Sequence, residues 1–295
     1  MRSVVKSADE PRITASLRQA KRLASEMPQA LTFGPEGDGW VYDRNTKSYD
    51  LARGASSARF TIRTTAGPPD TSITIAPSRS ALVVVDMQNY FLHPRCSAHP
   101  SGLAAVERTL EVIERCRDIG VKIIWLNWGL AEEDLGAMPA AAQRSFASNL
   151  ILPPSGASTP ARNGFGSDMG EGRGRLLMAG SWNARLYDPL QVASRADADL
   201  FCDKDRVSGL WHGETPLARA LAAGGFRTLL FAGVNTDQCV LGTLADAYYQ
   251  GWDCVMVDDC CATTTPGGQE VSVYNAAKVY GFVVNSKSIL EGSIA

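Results

Sequence analysis

Histidine is scarce in this chain: positions 93, 99 and 212 hold the only three in 295 residues. None falls in an HxH or HxxxH spacing, so a zinc site built on histidine pairs is not expected. Cysteines number seven, at 96, 116, 202, 239, 254, 260 and 261, an odd count with no CxxC spacing. That pattern predicts free thiols in a reducing compartment, the cytoplasm, rather than a disulfide framework. No apolar run reaches the ~18 residues that would span a bilayer. The first 27 residues have no hydrophobic core of a secretory signal, and Asp9, Glu10 and Glu26 speak against a transit peptide. Formal net charge is −2, and neither sign forms a block. Neither nucleic acid nor an anionic membrane is therefore the expected partner. What remains is a partner of small-molecule size.

Composition is that of an ordinary globular chain, 45% hydrophobic and 20% charged. Residues 1–78 read as an N-terminal arm: a partly helical start, then short alternating pieces at Trp40–Tyr42, Arg59–Thr65 and Thr71–Ile75, broken at GPEGDGW and at Gly67-Pro68-Pro69-Asp70. Residues 79–295 read as the main domain. There ALVVVD (81–86) is a continuous apolar run, the mark of a strand buried on both faces. A helix follows, with Leu103, Val106, Leu110 and Ile113 on one face, ending near Gly120. VKIIWLN (121–127) and ADLFCDK (198–204) are the next strands. Thr215 and Pro216 open a second helix that Gly224-Gly225 stops. RTLLFAGV (227–234), a helix over 239–250, WDCVMVDD (252–259), a helix over about 268–280 and GFVVNS complete the series. Strands alternating with helices predict an α/β fold: an open, mostly parallel sheet with helices on both faces. A Gly-, Ala-, Pro- and Ser-rich insertion at about 129–197 interrupts the rhythm, as binding loops and lids do.

Ligands of open parallel sheets gather at the carboxyl ends of strands. Asp86 ends the first core strand, Lys204 the third, and Cys239 follows the fourth by one short loop. Singly, each has an ordinary reading: a turn-capping Asp, a solvated Lys, a buried small thiol. Three strand ends on one rim can instead converge. Unpaired N–H groups where GVNTDQ opens a helix, with an ammonium nearby, are expected to lower the thiol pKa. Asp86 is then placed to take the thiol proton and return it to a leaving amine.

VVVDMQNYF, then DK, then GVNTDQCVLGTLADAYYQGWDCVMVDDCCAT resemble the signature segments of the isochorismatase-like cysteine hydrolases. The resemblance spans about residues 79–290 and is strongest in the last segment. It implies Asp86, Lys204 and Cys239 as a catalytic triad, a cis peptide between Val234 and Asn235, and an oxyanion hole made by the backbone N–H groups of Asn235 and Cys239. After the second strand this chain reads WLNWG, without the histidines of metal-binding nicotinamidases, so neither a metal nor any other cofactor is expected. Isochorismatases that cleave an enol ether lack the cysteine, so its presence implies C–N bond hydrolysis. A non-catalytic binding protein on the same fold is the third reading, opposed by the intact triad. The nearest likeness is to ureidoacrylate and biuret hydrolases. It makes Asn127 and Trp128 candidates for substrate contact, with rim packing the alternative for Trp128, and Tyr90 and Phe91 join them. Family members are commonly dimers or tetramers, and Trp40, Tyr42, Tyr49 and Phe60 of the arm need cover, so a homodimer or homotetramer built through the arm is expected. The alternative is an arm folded back on its own chain. His93 and His99 are read as surface or capping residues, Cys260 and Cys261 as buried thiols. Arg173 and Arg175, in the Arg/Gly stretch 171–175, are read as a solvated loop or an anion contact.

Overall fold

The structure, a computed structural model, describes residues 27–55, 58–151 and 162–294. The helical start expected for the arm lies outside the described residues. Beyond it, the short alternating pieces pair with one another: β1 (Ala30–Phe33), β2 (Trp40–Asp43), β3 (Ser48–Asp50), β4 (Phe60–Arg63) and β5 (Ser72–Ile75). The main domain contributes β6 (Ser80–Val85), α1 (Pro100–Ile119), β7 (Lys122–Trp128), β8 (Leu200–Lys204), α2 (Pro216–Gly224), β9 (Thr228–Val234), α3 (Leu241–Tyr249), β10 (Asp253–Ala262), α4 (Gly268–Asn275), β11 (Gly281–Val284) and β12 (Ser293–Ile294).

Every residue of β6 and of β9 is buried. An unbroken apolar strand leaves no face for water, so helices must cover both sides. The resulting sheet runs β11-β10-β9-β6-β7-β8, every pair parallel. From β6 the chain builds outward through β7 to β8, then crosses back and builds outward through β9 and β10 to β11. The order therefore reverses between β6 and β9, and the carboxyl ends of those two strands flank the crevice where open α/β sheets hold ligands. Gly233 lets the two strands meet there: its φ is +123°, and a Cβ would stand 2.0 Å from the Val85 carbonyl oxygen. No other residue fits that approach.

Helix boundaries follow the capping chemistry. Thr215 accepts from the Ala218 N–H, Pro216 starts α2 and Gly225, at φ 64°, ends it. Gly120, at φ 88°, ends α1. Two expected helices are shorter than the sequence suggests. A wider, π-type turn over Thr236–Val240 precedes α3, and another over Ala276–Tyr280 follows α4. The insertion is not one loop. It holds short helical turns at Glu132–Ala137, Ala140–Ser145 and Asp188–Ala193, and it sends Phe146, Leu176, Leu177 and Leu190 into the core.

The arm makes a second sheet, ordered β1-β2-β3-β5-β4-β12, which the last strand of the chain completes. Its aromatic residues are covered within the same chain. Trp40 packs 5.5 Å from Phe282 and Tyr49 5.1 Å from it, Tyr42 lies 4.5 Å from Tyr49, and Phe60 is fully buried. The need for cover that pointed to a neighbouring subunit is thus met by the arm's own main domain. A buried carboxylate fastens the two layers. Asp253, at the start of β10, receives Arg53 Nη1 at 2.5 Å, Arg53 Nη2 at 2.7 Å, Trp40 Nε1 at 2.8 Å and Thr228 Oγ1 at 3.0 Å. No described helix is long and apolar enough to cross a membrane.

Candidate active site

Asp86, Lys204 and Cys239 converge at the sheet's switch point. Asp86 follows β6 directly. Its φ of 52° is unusual for a non-glycine residue, and its N–H remains bonded to the Leu126 carbonyl of β7 at 2.9 Å. Lys204 is the last residue of β8. It reaches past β7 to place Nζ 3.0 Å from Asp86 Oδ2, 3.6 Å from Cys239 Sγ and 3.1 Å from the Arg206 carbonyl. Three partners match the three donors of an ammonium. Its charge also stands 3.8 Å from the centre of the Trp128 ring, a cation–π contact out of reach of water. Cys239 lies in the π-type turn after β9, its Sγ also hydrogen-bonded to Asp86. Asp86 is 0% exposed, the Lys204 side chain 2% and Cys239 5%.

Burial decides the thiol's protonation. It pushes the Cys239 pKa up to about 12, the neighbouring Asp86 carboxylate adds to the rise, and Lys204 only partly opposes it. The expectation of a lowered thiol pKa is therefore corrected: desolvation outweighs the ammonium. Burial also raises Asp86 above its ordinary range, while Lys204 and the hydrogen bonds from Cys239 and Trp128 hold it down.

Cys239 opens onto a cavity of about 570 Å³, whose walls include Phe91, Phe146, Arg162, Val207 and Asn235. That size suits a small ligand. The Val234–Asn235 peptide is cis. The Asn235 side chain is held by His99: Nε2 stands 2.7 Å from Asn235 Oδ1, while Nδ1 accepts the Gly102 N–H at 2.9 Å. Because Nδ1 is an acceptor, Nε2 carries the proton and donates to Asn235. His99 thus caps α1, the capping one of its two expected roles; it is buried instead of on the surface, and it also braces the loop after β9.

Of the four residues considered for substrate contact, Phe91 reaches the cavity wall. Tyr90, Asn127 and Trp128 are not part of its lining. Trp128 is 1% exposed, so it is not a rim residue. It braces Lys204 and Asp86. Its ring lies against Lys204, and its N–H donates to Asp86 Oδ1 at 3.2 Å and Gln88 Oε1 at 3.0 Å. Tyr90 packs edge-on against Phe91 at 4.8 Å and hydrogen-bonds Arg162. Arg173 and Arg175 do not face the cavity. The first bonds the carbonyls of Arg95, Met169 and Gly170, and the second pairs with Glu132. Arg162 and Phe146 carried no signal in the sequence, since both lie in the aperiodic insertion; Gln88 lies within the signature segment VVVDMQNYF but was not singled out there. Among the described residues no three His, Cys, Asp or Glu side chains gather as a metal site.

Residues 80–288 match the isochorismatase domain family. The chain belongs to the isochorismatase family. Curated relatives include the ureidoacrylate amidohydrolase RutB of Cronobacter sakazakii, 30% identical over 239 residues, 78% of this chain and 94% of that one. RutB of Acinetobacter baylyi is 28% identical over 226 residues, 74% of this chain and 85% of its own. Among solved structures, N-carbamoylsarcosine amidase from Thermoplasma acidophilum superposes with a TM-score of 0.50 at 25% identity, covering 70% of this chain and 96% of the other. A cysteine hydrolase from Pseudomonas syringae pv. phaseolicola shares the fold with a TM-score of 0.56 at 20% identity, covering 73% and 92%. The stretch preceding residue 80, which carries most of the second sheet, lies outside this isochorismatase-family match.

Proposed function

We propose that this isochorismatase-family chain is a metal-independent cysteine amidohydrolase, cleaving a C–N bond of a small amide, ureide or carbamoyl compound. One observation carries the reading: a thiol, a carboxylate and an ammonium meet at the switch point, and the thiol lines a cavity of small-ligand size. The amidohydrolase names of the curated relatives support the reaction class.

The chemistry follows from the protonation states. As Cys239 Sγ attacks the carbonyl carbon, its proton passes to Asp86. Lys204 stabilises the negative charge while it moves from the carboxylate to the sulfur. Burial holds the thiol pKa up, so in this scheme proton transfer accompanies attack. The carbonyl oxygen takes the displaced electron pair and is stabilised by the backbone N–H groups of Asn235 and Cys239. Collapse of this intermediate breaks the C–N bond. Asp86 gives its proton to the leaving nitrogen, and a thioester remains on Cys239. Water then attacks the thioester with Asp86 as base, the C–S bond breaks, and the thiol is restored.

Asp86→Asn keeps the shape but cannot accept the proton. Lys204→Met keeps the stem but removes the charge. Each is expected to lower kcat by about 10²-fold or more, the usual size of acid–base terms. Ammonia release from a panel of ureides and amides, with circular dichroism on each variant, checks this. A folded variant that turns over like the wild type contradicts the assignment.

A further inference from the structure

The two largest fully buried side chains are Trp125 and Trp128. Trp125 Nε1 donates to Asp199 at 2.9 Å. Trp128 Nε1 is buried and reaches full hydrogen-bond geometry with no acceptor. An indole nitrogen can only donate, and a buried donor left open is costly enough to need a reason. Three other buried nitrogens among the described residues share that condition, on Arg115, Arg117 and Arg227. Each of those guanidinium groups donates through another nitrogen: Arg115 to the Gly292 carbonyl, Arg117 to Asp199, Arg227 to Asp38. The indole has no second donor.

The ring is held firmly. Gln88 clamps the Trp128 backbone from both sides: Oε1 accepts its N–H at 3.0 Å, and Nε2 donates to its carbonyl at 2.7 Å. Phe146 and Phe165 pack against the indole, with ring centres 5.3 and 5.0 Å away. Lys204 Nζ stands 3.8 Å from the indole centre and 3.6 Å from Cys239 Sγ, so one ammonium touches both ring and nucleophile. The sulfur is also within the indole's reach: a hydrogen bond from the Trp128 side chain to Cys239 works against the burial that raises the thiol pKa.

We propose that the Trp128 indole N–H is a fourth catalytic group, which donates to Cys239 Sγ whenever the sulfur carries negative charge. This rests on the amidohydrolase reading and adds a group to its machinery. In that scheme charge appears on the sulfur twice. The first time, the thiol proton leaves for Asp86 as attack begins. The second, the C–S bond of the thioester breaks and its electron pair returns to sulfur. A thiol sulfur is a weak acceptor, and hydrogen bonds to an ionised group are shorter and stronger. The contact therefore tightens at those two moments. Donors that act where charge develops are often loosely aligned beforehand, which accounts for the open N–H. One side chain then has two duties: its face meets the lysine, and its nitrogen meets the nucleophile.

Two replacements separate the N–H from the rest of the ring. Trp128→Phe keeps an aromatic face for Lys204 and loses the donor. Replacing Trp128 by 3-benzothienylalanine keeps the bicyclic outline, with sulfur where the N–H was. Circular dichroism checks that each full-length variant folds. In both, kcat for ammonia release from the panel of ureides and amides should fall about 10- to 100-fold, the range for a hydrogen bond to a charged group, with KM nearly unchanged. Alkylation of Cys239 by iodoacetamide at pH ~8, with the label located by mass analysis, should slow about 3- to 10-fold. The thiolate fraction drops by the larger factor, and the more basic thiolate regains about half of it on a logarithmic scale. Alkylation of the benzothienylalanine enzyme at the wild-type rate overturns the proposal even where Trp128→Phe is slow, since packing of the ring on Lys204 is then the cause. Alkylation of Trp128→Phe at the wild-type rate overturns it by itself. If the wild type hydrolyses none of the compounds, the amidohydrolase reading is what has failed, and alkylation alone judges the N–H on the same terms.

Discussion

Asp86 meets two opposite demands. Complete burial favours its neutral form, while Lys204 Nζ at 3.0 Å favours the carboxylate that the chemistry needs. Its pKa rises above the ordinary 3.8, with burial the larger cause. Only the ionised form can take the thiol proton, so activity is lost as pH falls, and the raised pKa moves that loss upward from the usual carboxylate range. The kcat/KM profile is therefore expected to show an acid limb centred above pH ~4. A profile flat from neutrality down to that value would contradict Asp86 as the base. The same residue scale explains why Trp128 is buried against Lys204. A lysine removed from water needs its charge met on every side, and an aromatic face is one of the few apolar surfaces that can do so.

At the scale of elements, the site is a meeting of strand ends held by loops that are themselves held by helix caps. His99 links the two: its ring caps α1 through the Gly102 N–H and fixes Asn235, next to the nucleophile's turn. His99→Ala removes a cap and leaves a buried amide oxygen unpaired, which should cost about 1–3 kcal/mol of stability. With the Asn235 backbone N–H in its proposed place at the oxyanion, kcat should fall with KM nearly unchanged. Stability loss with intact kcat would confine His99 to capping. Much of this architecture was legible in sequence. The runs ending in Asp86 and Val234 are unbroken apolar strands whose ends could be located by where the apolar character stops, while the edge strand ending in Lys204 alternates between buried and exposed residues. The second sheet was only half legible. Its strands of three and four residues are too short for periodicity to show, and β12 pairs with β4 across more than two hundred residues. Arg162 was not legible at all. It reaches the nucleophile's cavity through tertiary packing of an insertion with no repeat, while Arg173 and Arg175, conspicuous in an Arg/Gly run, spend their donors elsewhere.

Over the whole molecule, the second sheet belongs to the same core as the catalytic sheet. Phe60, Ile62, Ile73 and Ile75 are buried in one cluster with β6 and β9. The polar fastening is the Arg53–Asp253 pair, whose side chains are nearly inaccessible. Removing one partner of a buried pair strands the other charge, which typically costs about 3–5 kcal/mol. Arg53→Ala should lower the midpoint of chemical denaturation by that equivalent. A shift under ~1 kcal/mol would mean that the arm is fastened by apolar packing alone. Since Asp253 opens β10 at the end opposite the site, the triad should survive in the fraction that stays folded.

The central claim is that Cys239 is the nucleophile, and the most direct measurement is ammonia release by Cys239→Ala beside the wild type on the panel of ureides and amides. Without the sulfur no thioester can form, and neither Asp86 nor Lys204 can replace it. The account predicts a loss of about 10⁴-fold or more in kcat, as when the nucleophile of a unit-acting triad is removed. A Cys239→Ala enzyme that releases ammonia at the wild-type rate would contradict it.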